Sequence, residues 1–385
     1  MRIAMVGTRG VPARYGGFET AIEEIGQRLV ERGHEVLVYC RGAEQPRPES
    51  HLGMELVHLP AARKKSLETL SHSALSVAHL FRQRKRVDAA VLFNAANSPF
   101  LPVMRAAGIP TAVHVDGLEW RRSKWAGTGR HYYRTAESLA VRWGDALIAD
   151  AKGIADYYQE AFGAETELIA YGAPIQVDAG AERISELSLV PRKYHLVVAR
   201  FEPENHVFEI VSGYSKSTAT LPLAVVGSAP YADEYTARIS AVAARDSRIH
   251  LLGGVWDQQQ LDELYANALT YLHGHSVGGT NPSLLRAIGA GTGTIALDVV
   301  FNREVLGDDG LFFSLPDDLP ETLEKAETDP GEMLRRGSAL RDRAGSLYRW
   351  DDVAEKYEEL LGRLTDGWST KGRWSGRRSS VRTSV

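Results

Sequence analysis

At 385 residues the chain is long enough for two domains of ordinary size and too long for a small disulfide scaffold. Apolar residues make up 44% and charged residues 24%, which fits a chain that buries real cores and excludes disorder throughout. Lys and Arg total 45 against 49 for Asp and Glu, a formal charge of −4, so a dedicated nucleic-acid binder is disfavoured.

The opening MRIAMVGTRG lacks the apolar core of a signal peptide, and no apolar run approaches the roughly 18 residues of a membrane span. The single cysteine, Cys40, cannot pair within the chain and sits in the apolar run EVLVYC. A cytoplasmic protein, soluble or peripheral at the inner face of a membrane, is the expectation.

Short β-rich runs then alternate with helical patterns: Ile3–Val6, Glu35–Cys40, Ala89–Phe93, Thr111–Val115, Ala146–Ala149 and Glu167–Ala170. This alternation predicts a parallel sheet with helices on both faces. The first helix is legible in detail, with Ile22, Ile25 and Leu29 at helical spacing, Glu19 in the first turn, and Arg32-Gly33 as a stop. From Gly172 to Lys193 the pattern breaks, and a second series follows at Leu196–Ala199, Leu223–Val226, Ile249–Leu251, Thr270–His273 and Thr294–Leu297. The expected division is a first domain over 1–175, a second over 176–349, a helix over 350–365 packing back across the domains, and a basic tail over 366–385. Trp350, Val353, Tyr357, Leu360, Leu361 and Leu364 form the apolar stripe of that helix. The tail carries five cations against Asp366 and is either a solvated arm or a membrane contact.

Four segments could carry chemistry. GTRGVPARYGGFET places Gly7, Gly10, Gly16 and Gly17 between the first strand and first helix, where backbone can approach a phosphate; a plain strand–helix connection would look the same. It matches neither the dinucleotide nor the P-loop order. HVDGLEW places His114 and Asp116 at a strand end, suited to sugar hydroxyls or a reacting centre, although an Asp before Gly117 also serves a turn. LVVARFEPENH puts Arg200 after a strand, where a guanidinium suits a phosphate. HGHSVGGTNPSLLRAIGAG has Asn281 as a helix cap with Pro282 at the first helical position, preceded by Gly278-Gly279-Thr280. Such an end suits an anion or sugar hydroxyls. His273 and His275 lack a third ligand nearby, so buried or sugar-contacting histidines are preferred to a metal pair.

Taken in order, these segments, with ALIADAKGIADYY, IAYGAP and FNREVLGDDGLFF, resemble the retaining GT-B glycosyltransferases of family 4, and closely a bacterial rhamnosyltransferase-like subgroup. The resemblance runs from Met1 to Leu364. It implies an α/β fold of two Rossmann-like doubly wound domains facing a cleft, and a metal-independent hexosyltransferase that uses a nucleotide-sugar as co-substrate. No D-x-D carboxylate pair occurs. By the same resemblance, Gly16 and Gly17 would face the donor diphosphate and His114 and Asp116 would lie at the reacting sugar. Arg200 would neutralise the leaving diphosphate, with Glu204 and Asn205 beside it. Gly278, Gly279, Thr280, Asn281 and Arg286 would complete donor binding. The implied partners are the nucleotide-sugar and a lipid-linked or polysaccharide acceptor of cell-surface glycan synthesis, with rhamnose from dTDP-rhamnose the best assignment. An anionic membrane surface is a further candidate partner, because basic residues flank SALSVAHLF.

Two departures matter. The wider family carries glutamates where this chain has Gly278 and Arg286, and arginine cannot accept a hydrogen bond. Its phosphate-binding lysine is replaced by Asn205, with His206 alongside. Arg286 would either pair with a donor phosphate or turn away from an altered ribose pocket. A degenerate transferase that binds a nucleotide or glycan without turnover is the competing reading.

Overall fold

Runs of Val, Ile, Leu and Ala that are apolar at every position, not alternating, belong to strands covered on both faces, and such strands build two sheets here. The computed structural model describes residues 1–13, 16–42, 47–62, 65–115, 117–122, 127–176, 178–228, 233–314 and 318–371. The chain divides into two compact units, Met1–Tyr171 with Trp350–Val385, and Gly172–Arg349.

In the first unit, strands β1 (Arg2–Val6), β2 (Glu35–Arg41), β3 (Ser50–His51), β4 (Met54–Leu59), β5 (Ala89–Phe93), β6 (Thr111–His114), β7 (Ala146–Ala149) and β8 (Glu167–Leu168) form one sheet. Their order is β3-β4-β2-β1-β5-β6-β7-β8. All neighbours are parallel except β3 with β4, and Ile3 registers against both Val36 and Ala89. Ile3, Ala4, Met5, Val91 and Leu92 are fully buried, so the core lies along β1 and β5. The helix Gly17–Glu31 buries Ala21, Ile22, Ile25 and Leu29, the expected stripe.

The last helix, Trp350–Thr365, belongs to this first unit. It buries Trp350, Val353, Tyr357, Leu360, Leu361 and Leu364, each contributing roughly 1.5–3 kcal/mol when fully covered. Its polar side is clamped to the first helix and the turn after it: Asp351 accepts from Arg28 Nε at 2.8 Å, and Glu358 pairs with Arg32 at 2.8 Å and His34 at 2.7 Å.

The second unit repeats the plan with β9 (His195–Val198), β10 (Leu223–Val226), β11 (Ile249–Gly253), β12 (Thr270–His273), β13 (Gly293–Leu297) and β14 (Leu311–Phe313), ordered β11-β10-β9-β12-β13-β14. Every pair is parallel.

Three strands exceed the sequence expectation. β3 and β4 form a small hairpin at one sheet edge, where MELVHL is only partly buried and so carries no continuous apolar signal. β14 is a three-residue edge strand, too short to register as a pattern. Cys40 is buried and free, and burial pushes its thiol up to about 11. Among the described residues no helix is long and apolar enough to cross a membrane.

Candidate functional site

In a doubly wound sheet, ligands sit beyond the carboxyl ends of the strands where the chain order reverses. The strand orders put that reversal between β1 and β5 in the first unit and between β9 and β12 in the second. The glycine-rich loop follows β1, the Arg200 loop follows β9 and the GGTN segment follows β12, so three of the four sequence motifs fall at a reversal point.

In the first unit, the loop after β1 meets the end of β5. Asn97 Nδ2 donates to Phe93 O at 2.8 Å and Gly7 O at 3.2 Å, and a Cβ at Gly7 would lie 2.4 Å from Phe93 O, so only glycine permits the approach. Gly16 (φ 111°) precedes the helix that starts at Gly17. The sequence leaves this helix end as a phosphate cradle, but the structure places carboxylates beside it. Glu19 Oε1 accepts from Arg9 N at 3.0 Å, and Glu23 Oε2 accepts from Ala13 N at 2.7 Å. Burial pushes the Glu19 carboxyl above its usual range, against the Arg9 backbone bond that lowers it.

His114 ends β6 but lies fully buried rather than open. Its ring packs against Phe18 (5.2 Å between centroids), Phe93 and Tyr171 (5.5 Å each), and Nδ1 lies 2.8 Å from the Tyr357 hydroxyl. Burial drives its pKa down to about 3, so the imidazole is neutral at physiological pH and is no general acid in this setting. Asp116 lies outside the described residues.

In the second unit the two loops are latched together. The Glu204 carbonyl accepts from Ser276 N at 3.0 Å and Ser276 Oγ at 3.1 Å, while His206 Nδ1 donates to Gly274 O at 2.9 Å. A Cβ at Gly274 would stand 2.4 Å from Asn205 O, which explains glycine there. Asn205 turns inward, its Nδ2 donating to Arg200 O at 2.8 Å, and Glu204 is buried at 8% exposure. Arg200 is exposed at the carboxyl end of β9.

Gly278, Gly279 and Thr280 lead into Asn281, the cap of the helix Pro282–Gly289. Asn281 Oδ1 accepts from Ser283 N at 2.9 Å and Ser283 Oγ at 2.8 Å. Because a backbone N–H can only donate, the amide atom facing Ser283 is the oxygen, and the NH₂ is turned away from Ser283. Behind it, Tyr271 OH donates to Ser283 Oγ at 2.9 Å and lies 3.2 Å from His273 Nδ1. His273 is fully buried, its pKa pushed down to about 3 by burial, and stacks on His275 at 4.4 Å. Among the described residues no three His, Cys, Asp or Glu side chains gather as metal ligands.

Arg286 does not join this group. Its Nε and Nη2 donate to Asp262 Oδ1 at 2.9 and 2.6 Å, and Nη2 also donates to Gln258 at 2.8 Å. Asn97, Ser276, Tyr271 and Ser283 support these loops without any mark in the sequence. Tyr271 sits in a strand run and Ser283 in a helix start, and each looks like ordinary structure until the distances are known.

Residues 16–172 match the family model described as a glycosyl transferase 4-like domain, and residues 181–343 match the one described as glycosyl transferases group 1. The chain is a glycosyltransferase of the GT-B fold. Among solved structures, this glycosyltransferase is similar to sucrose-phosphate synthase from Thermosynechococcus elongatus, at TM-score 0.78 and 19% identity, covering 94% of this chain and 98% of that one. It is likewise similar to Anabaena HepE in complex with UDP-glucose, at TM-score 0.77 and 15% identity, covering 94% and 99%. An α,α-trehalose-phosphate synthase from Burkholderia xenovorans gives TM-score 0.71 and 12% identity over 94% and 100%. No curated protein sequence matches the chain.

Proposed function

We propose that this glycosyltransferase takes a sugar from a nucleoside-diphosphate sugar, with retention of anomeric configuration and without a metal, and delivers it to a lipid-linked or polysaccharide acceptor. The observation that carries the donor assignment is the β9/β12 reversal point, where Asn281 at the start of the helix it caps and the exposed Arg200 lie on two loops latched by Ser276 and His206. Departure of the diphosphate builds negative charge, and a guanidinium together with N–H donors at a helix start stabilises it. That a solved relative of the same fold holds UDP-glucose agrees with a donor of this class.

Rhamnose from dTDP-rhamnose is the proposed sugar, on the resemblance of the motifs. Loss of a carboxylate at Arg286 removes an acceptor for ribose hydroxyls, which costs less with a deoxyribose nucleotide. A membrane-bound acceptor fits the outer face of the helix Lys65–Gln83, which exposes Leu67, Leu75 and Phe81 beside exposed Arg82, Arg84, Lys85 and Arg86.

A thermal-shift panel of dTDP-rhamnose, dTDP-glucose, UDP-glucose, UDP-N-acetylglucosamine and GDP-mannose tests the reading, because a ligand selective for the native state raises Tm. Selective stabilisation by dTDP-rhamnose is expected. Stabilisation by another donor changes the sugar, and no response from any donor overturns the reading in favour of a chain that binds no donor.

A further inference from the structure

The last helix carries the Tyr357 hydroxyl in its largely apolar buried stripe, and that hydroxyl meets the imidazole buried at the end of β6. Tyr357 is fully buried and its hydroxyl lies 2.8 Å from His114 Nδ1. That contact is the Tyr357 hydroxyl's sole hydrogen bond among the described residues. If Nδ1 carried the proton and donated to Tyr357, the buried phenol hydrogen would have no acceptor. Each tautomer leaves one buried donor unmet, the phenol hydrogen in one and Nε2–H in the other; with the phenol donating to a bare Nδ1, the single imidazole proton sits on Nε2.

Nε2 is buried and has no hydrogen-bond partner. Leaving such a donor unmet costs about 1–3 kcal/mol, a cost that folded proteins seldom carry without a use. Of the rings around His114, Phe93, Tyr171 and Tyr357 are buried, while Phe18 is half-buried in the first turn of the helix after the glycine loop.

We propose that Tyr357 is a positioning residue that locks His114 as the Nε2–H tautomer, so that Nε2 donates to an oxygen of the bound sugar, and that the chain returns to the first unit in part to supply this hydroxyl. The sugar contact rests on the proposed transferase reading. The tautomer lock does not, and the test separates them.

Nitrogen-15 NMR of the full-length, histidine-labelled protein reads the tautomer directly, without substrate. In the wild type His114 is expected to show a bare Nδ1 and a protonated Nε2. In Tyr357→Phe, which preserves the ring, the signals are expected to shift toward a mixture of both tautomers. A wild-type His114 protonated at Nδ1, or a Tyr357→Phe spectrum unchanged from the wild type, would overturn the lock.

The second arm uses His114→Gln, whose side-chain NH₂ donates near the Nε2 position without needing Tyr357. Tyr357→Phe is expected to lower kcat for the best donor about tenfold in the wild-type background and to have no further effect in His114→Gln, with Tm reporting that each variant folds. Equal losses in both backgrounds would overturn the sugar contact even if the tautomer result stood. If the wild type stabilises with no donor at all, it is the transferase reading that fails, and the NMR result still decides the lock.

Discussion

Asp262 Oδ1 receives Arg286 through Nε at 2.9 Å and Nη2 at 2.6 Å, two bonds converging on one carboxylate oxygen from a guanidinium that Gln258 also holds. The pair joins the helix Gln258–Asn267 to the helix Pro282–Gly289 within the second unit. Of the two alternatives raised by an arginine at this position, the geometry favours a side chain engaged by its neighbours over one waiting for a phosphate.

Arg286→Gln is therefore expected to change the dissociation constant of a nucleoside diphosphate by less than about twofold. Because the pair is partly exposed, the stability loss is expected to be about 1 kcal/mol or less. Calorimetric titration checks the first expectation and thermal melting the second. A loss of affinity of tenfold or more, roughly 1.4 kcal/mol, would put Arg286 in the donor site.

The latch between the two second-unit loops depends on a missing side chain. At Gly274 a Cβ would collide with Asn205 O at 2.4 Å, and backbone cannot yield as a flexible side chain can. Gly274→Ala is expected to destabilise the protein by about 1–3 kcal/mol, as overpacking does, and to weaken donor binding together with stability. Denaturant melts of the variant check this, and an unchanged midpoint would contradict it.

Glu137 predicts a pH dependence. Its carboxyl, 3% exposed, accepts from Tyr157 OH at 2.8 Å, and burial pushes its pKa up to about 7, with the Tyr157 bond and the Arg134 charge opposing. The native state thus holds a proton that the unfolded chain releases near 4.5. This group's contribution to stability is full below that value, declines as pH rises toward 7, and is flat above. Glu137→Gln keeps an acceptor for Tyr157 and removes the titration. Its Tm is expected to exceed that of the wild type at pH 8 and to approach it at pH 5. A wild-type advantage at pH 8 would contradict the assignment.

Glu327 shows the opposite sign. Burial raises its pKa, but hydrogen bonds from His195, Thr220 and Leu221 outweigh that and hold it at about 2. The carboxylate stabilises the native state above its ordinary value of 4.5, and that stability is lost as pH falls toward 2. Glu327→Gln is expected to flatten the acid limb of the unfolding curve. An acid limb as steep as in the wild type would exclude Glu327 as its source.

The two-sheet architecture was legible because buried parallel strands write continuous apolar runs such as IAMV and AAVLF, and because Ile22, Ile25 and Leu29 mark one helix face unmistakably. β4 escaped because it is only partly buried beside the two-residue edge strand β3, and β14 because it is a very short edge strand. At the candidate site, Asn281 was legible as a cap from Asn-Pro alone. The orientation of its amide was not, since it depends on Ser283 and Tyr271. His114 was visible as a polar residue at a strand end, but its burial depends on Phe18 and on Tyr357, which lies more than two hundred residues away in sequence. Contacts of that range leave no periodic trace in a single sequence.

The proposed donor site at the β9/β12 reversal requires that its loops bind a nucleoside diphosphate with the help of the Asn281 amide. Calorimetric titration of UDP and of dTDP into the wild type and into Asn281→Ala tests it most directly. Measurable binding of at least one nucleotide to the wild type and about tenfold or greater weakening in Asn281→Ala are expected, with the melting temperature reporting an intact fold. Equal affinity in the two proteins, or no binding to the wild type at millimolar nucleotide, would contradict it.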